Sequence, residues 1–199
     1  MNIVPAIERS LGKPLASNRI TVYVLYFSQP HGIKITGTRF LTDVAWPVRI
    51  VARNAVHEML HPPFDLATDA ELRGALDRLR QDSFLMDKVQ NHNPSFGYNA
   101  FEGFVEEDCV QALEQVINEQ VGIAADPGRR WSQSDDGMHV LAAALYQLMR
   151  ERDYARGAHS LREFLLDSIR SGDLGPGRIQ GLHQKVVQPP RPGPGAPPG

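Results

Sequence analysis

The sequence predicts an α+β fold, a small N-terminal sheet followed by a mostly helical body, and three observations lead to it. Ile20–Phe27 (ITVYVLYF) concentrates β-branched and aromatic residues, which suit a pleated, packed surface. After Trp46-Pro47 the apolar positions recur at helical rather than alternating spacing. The end of the chain, Gln188–Gly199 (QPPRPGPGAPPG), is too rich in proline and glycine to bury a core. The 199 residues therefore divide into one folded domain over 1–187 and a disordered tail over 188–199.

The elements follow in order. Ile3–Leu11 reads as a short helix ended by Gly12 and Pro14. Ile20–Phe27, apolar on both faces, reads as a buried strand. His31-Gly32 marks a turn, and Ile33–Leu41 reads as a second strand. Val48–His61 is apolar all round, as a central helix would be, and Pro62-Pro63 stop it because proline cannot continue the hydrogen-bond ladder. Thr68–Glu71 has the form of a capping box and opens a helix through about Val89, followed by a polar loop over Asn91–Gly97. Ala100–Gln120 is the longest helical pattern, and Asp126–Asp136 reads as loop. Val140–Arg152, a helix capped at Ser160–Glu163, and a short helix over Ile179–Val187 complete the body.

Composition removes several classes of function. The apolar fraction is 42%, the charged fraction 22% and the net charge −2, with no dense Lys/Arg block, which argues against nucleic acid as a partner. The longest apolar runs are too short for a membrane span. Met1–Gly12 reads as an amphipathic segment rather than a secretory leader, and localisation stays open. A single cysteine, Cys109, falls among apolar helical positions and reads as an inert core thiol.

The chemistry is carried by His57-Glu58-Met59-Leu60-His61, an H-E-x-x-H pattern on a helix. Positions i and i+4 share one helical face, so both imidazoles reach a single ion. Zn2+ accepts neutral imidazoles, keeps a fourth position for water or substrate, and makes water acidic enough for a carboxylate base such as Glu58. A third ligand must come from elsewhere. The continuation with Gly and His at fixed offsets is absent, because Phe64 and Ala67 stand there. On the helix after Ala100, Glu102 and Glu106 fall on the apolar side, whereas Glu107 and Glu114 fall among Gln111, Gln115 and Asn118. Buried acids call for a cation to neutralise them.

Together with Phe101-Glu102-Gly103-Phe104-Val105-Glu106, the motif resembles the gluzincin clan of zinc peptidases over roughly Ile20 to Val116. The resemblance implies a zincin-like fold, peptide or protein substrates, Glu102 as third ligand and Glu106 as an acid orienting a ligand imidazole. It also implies a second strand whose end, Thr38–Leu41, pairs with extended substrate. Asp135–Val140 is similar to the thermolysin segment that presents a histidine to the oxyanion, which nominates His139, with Tyr146 as its substitute. The chain departs from the clan in Ala100-Phe101, in Pro62-Pro63, and in the 41 residues from His61 to Glu102, so Glu107 stays open as rival third ligand. The competing reading is a zinc module without catalysis, against which the retained Glu58 argues. A carboxylate-bridged di-iron protein needs a second E-x-x-H, and the sequence has none.

Overall fold

A computed structural model describes residues 2–26, 32–157 and 159–188. Phe27, His31 and residues 189–199 lie outside the described residues, and with them the expected strand end, turn and tail.

The architecture is α+β, with nine α-helices and one three-stranded sheet among the described residues. Helix α1 (Val4–Leu11) ends at Gly12, whose φ of 67° is a left-handed conformation that costs glycine little. Strands β1 (Thr21–Leu25), β2 (Ile33–Thr36) and β3 (Arg39–Asp43) are ordered β1-β3-β2. β1 runs parallel to β3, and β2 pairs antiparallel with it through Ile33↔Leu41 and Lys34↔Phe40.

Two strand expectations change. The segment 33–41 is a hairpin rather than one strand, because the chain reverses at Gly37 with φ of 54°. β1 is largely exposed, with Tyr23, Val24 and Leu25 all open to solvent. The sheet is covered on one face only, where Phe40 and Thr42 of β3 turn inward and the strand meets α2.

Helix α2 (Val48–Leu60) stops at His61, whose ψ of 137° is extended, just before the two prolines. It is not buried all round: Val48 is exposed, and burial grows toward Val56, Met59 and Leu60. The long helical pattern after Thr68 resolves into α3 (Ala70–Leu76), a 3-10 turn over Asp77–Gln81 and α4 (Ser83–Asn91). Asp69, not Thr68, caps α3 by accepting from the Leu72 amide at 3.0 Å, and Asp82 caps α4 in the same way at 2.9 Å.

Helix α5 (Phe101–Gln120) is the axis of the body, packed between α2 and α7 (Val140–Glu151). From Phe104 to Asn118 nearly every residue is buried, charged ones included. The stretch expected as loop after Asp126 contains α6 (Pro127–Gln133), started by Asp126 accepting from the Arg129 amide at 2.7 Å and by proline in the first turn. α8 (Leu161–Arg170) opens with a full capping box between Ser160 and Glu163, and α9 (Ile179–Val187) packs along α7. Cys109 is fully buried, and burial pushes its thiol pKa well up, leaving an unreactive packing residue.

Candidate metal centre

Three side chains from two helices converge. His57 and His61 project from the same face of α2 at its C-terminal end, and Glu107 projects from α5 across the interface. The two Nε2 atoms lie 3.3 Å apart, with Glu107 Oε1 3.7 Å from His57 Nε2 and Oε2 3.4 Å from His61 Nε2. Zinc bonds to nitrogen and oxygen of about 2.0–2.2 Å in a tetrahedron set donor atoms roughly 3.4 Å apart. The three observed separations match that spacing.

The remaining ring nitrogens are also engaged. His57 Nδ1 lies 3.3 Å from Glu114 Oε2, and His61 Nδ1 lies 3.5 Å from Glu106 Oε1. An acid behind each imidazole fixes the tautomer with the proton on Nδ1, leaving both Nε2 lone pairs directed at one point. Glu114 is anchored in turn by Arg130 at 2.5 Å and Asn118 at 2.9 Å. Glu107 Oε1 accepts from Gln111 at 3.0 Å, while Oε2 is buried with no hydrogen-bond partner among the described residues. An orphaned carboxylate oxygen beside the His61 Nε2, on a carboxylate whose other oxygen faces His57, fits a divalent cation, and the donor set fits zinc.

The electrostatics agree. Burial alone raises a carboxyl pKa, yet the neighbouring imidazoles outweigh it and hold Glu107 well below the usual carboxylate range. At Glu114, Arg130 and His57 overcome burial in the same direction. Burial disfavours charge on both histidines, but Glu114 and Glu107 raise His57, and Glu106 and Glu107 lift His61 to about 9. The acids thus demand positive charge at this point, which either protons or a cation can supply.

The cluster opens into a cavity of about 510 Å³ whose wall includes Gly32, Lys34, Arg53, Glu58, Tyr98 and Arg130. Glu58 is almost buried beside His57 and faces this space. A Cβ built on Gly32 would stand 2.8 Å from Glu58 Oε1, so the absence of a side chain there leaves room for the carboxylate.

The third acid is where the structure parts from the reading of Glu102. Glu102 is exposed and paired with the Arg80 guanidinium, which also lies over the Phe101 ring. Five residues separate it from Glu107, about 140° around the helix, so the two cannot face the same partner. Glu106 stands on the flank of His61, half-exposed.

His139 and Tyr146 are not on the cavity wall. His139 is 1% exposed, held by Asp108 Oδ1 at 2.6 Å and Asp135 Oδ2 at 3.1 Å. The Tyr146 ring packs on Trp131 and its hydroxyl donates to Glu119 at 2.5 Å. Neither is placed to donate to a group bound at the metal cluster. The aromatic hydroxyl on the wall belongs instead to Tyr98, which sits in a left-handed conformation with φ of 57° and packs its ring against His139. Burial, then the charge of Glu107, pushes its phenol pKa up, so it keeps its proton. No sequence spacing pointed to Tyr98.

No protein-family model matches this chain, and neither the curated proteins nor the solved structures contain a match to it.

Proposed function

We propose that this protein is a zinc-dependent peptidase. The observation that carries the reading is the His57, His61 and Glu107 donor triangle, opening into a cavity with the Glu58 carboxylate on its wall. Three protein ligands and an accessible fourth direction are the arrangement of a catalytic zinc site, whereas structural sites close the fourth position with protein. Bound zinc supplies Lewis acidity that polarises a peptide carbonyl and makes water nucleophilic near neutral pH.

The chain's own residues do the rest. Glu58 takes a proton from the attacking water on its carboxylate and delivers it to the departing amine nitrogen. Tyr98, protonated and on the cavity wall, offers its hydroxyl to the developing oxyanion. Glu114 and Glu106 hold the imidazoles in orientation. Substrate alignment falls to β2, because Thr38–Leu41 lies at the hairpin turn and in the central strand β3. β2 is an edge strand, and its Ile33 and Lys34, with Gly32 just before them, line the cavity.

The test is Glu58→Gln, which keeps the shape and removes the proton acceptor. Zinc content is expected to stay at the parent's level while cleavage of an unstructured protein substrate falls about 10²–10⁴-fold. Equal cleavage by parent and variant rules out the assigned base. A second substitution probes position rather than chemistry. Gly32→Ala pushes on the flexible end of Glu58, so stability should stay within about 0.5 kcal/mol of the parent. Turnover should drop by roughly 10²-fold, as expected for a catalytic group displaced by an ångström. Parallel assays of melting temperature and kcat/KM separate the two effects.

A further inference from the structure

Arg53 lies one helical turn before His57 on the face of α2 that meets the cavity. Its side chain is 24% exposed, and its Nε is buried with no hydrogen-bond partner among the described residues. The nearest acid, Glu114, is 3.9 Å from that nitrogen and is already taken by Arg130 at 2.5 Å, Asn118 at 2.9 Å and His57 at 3.3 Å. The other Lys and Arg side chains among the described residues of this wall are engaged more closely: Arg130 on Glu114 and Gln115, Lys34 on the His61 carbonyl. A guanidinium whose Nε is withdrawn from water and met only by a long ion pair with an already shared carboxylate gains from a further anionic partner. Its fork of donors suits a carboxylate, which it binds through two parallel hydrogen bonds.

We infer that Arg53 is a substrate-binding residue that receives a carboxylate of the peptide, placed within one or two residues of the bond held at the metal cluster. The inference rests on the peptidase reading for the identity of the ligand as a peptide. Two sources supply that carboxylate, the free C-terminus and an acidic side chain, and they differ in consequence. The first makes the enzyme trim chain ends, and the second makes it cut next to Asp or Glu.

The experiment measures binding separately from turnover. Three dansylated alanine tetrapeptides are titrated into zinc-loaded Glu58→Gln protein: the free acid, its C-terminal amide, and an amide ending in glutamate. A charge-assisted pair predicts that one of the two carboxylate-bearing peptides binds about ten- to a hundred-fold tighter than the neutral amide. Which of the two does so identifies the source. The preference should vanish when Arg53→Gln is added and return in part with Arg53→Lys. A neutral amide that binds as tightly as both acids overturns the inference, and this comparison needs no Arg53 variant to fold. So does a preference that survives Arg53→Gln, since the carboxylate would then be bound by the metal. Cleavage of the same peptides by the parent is scored on its own. Preference without cleavage sinks the peptidase reading and leaves the carboxylate site standing, and cleavage without preference does the reverse.

Discussion

Glu107→Gln is expected to strip the protein of its metal, while Glu102→Ala leaves metal affinity unchanged. Glutamine keeps the volume and the hydrogen bond toward Gln111 but removes the charge that two neutral imidazoles need to hold a divalent ion. Loss of a group that merely supports a ligand costs about 10–100-fold in affinity, which is the effect expected of Glu114→Gln behind His57. Loss of a direct ligand must exceed that, and hydrolysis must fall at least as far as in Glu58→Gln, because the substitution removes the ion as well as its partnership with the base. Competition against a chelator of known affinity reads all three variants. Stoichiometric zinc at parental affinity in Glu107→Gln would remove the α5 acid from the site, and a loss in Glu102→Ala would restore the external acid to consideration.

His57, Glu58 and His61 were legible because their chemistry lies in five consecutive residues whose helical spacing alone brings the imidazoles together. Glu107 was placed behind Glu102, as its rival, by an assumption that usually works. The polar side of an amphipathic helix normally faces water, so the side bearing Glu107, Gln111, Glu114, Gln115 and Asn118 read as solvent-facing. In this fold α5 is surrounded, and that stripe points inward at α2. The signal was present: Glu107, Gln111, Glu114 and Asn118 repeat at the four-three-four spacing of a core face, on the longest and most central helix. A polar stripe with core periodicity is what a buried site leaves in a sequence. The missed helix α6 had an equally local signature, Asp126 as cap followed by Pro127. The failure at β1 was different in kind. Its apolar residues are strand formers, but whether a sheet is covered on one face or two depends on distant helices that no local pattern reports.

Asp108→Ala is expected to destabilise the fold by about 3–5 kcal/mol, the cost of removing one partner of a buried pair. In a chain of this size that lowers the melting temperature by roughly 10 °C. Asp108 is fully buried on α5, and its two oxygens serve three donors: His139 Nδ1 at 2.6 Å and the amides of Leu141 and Ala142 at 3.0 Å each. Those amides are unpaired donors at the start of α7, so a side chain of one helix caps another and locks the two at the core of the body. His139 belongs to this joint. Burial pulls its imidazole pKa down, but the Asp108 carboxylate prevails and lifts it to about 9, above the roughly 6.5 of an unfolded chain. The folded state therefore binds more protons across that interval. The stabilisation carried by the charged His139 is complete around pH 6.5 and is lost as pH rises through 9. Thermal melts between pH 6 and pH 10 should show the parent losing stability over this window. His139→Gln, already uncharged, should be less stable at neutral pH and lose part of that slope, the part that remains belonging to His57 and His61. The two assignments for His139 separate on this measurement. An oxyanion donor would leave melting untouched and reduce turnover, whereas a histidine locked between Asp108 and Asp135, away from the cavity wall, must move the melting curve and its pH dependence first.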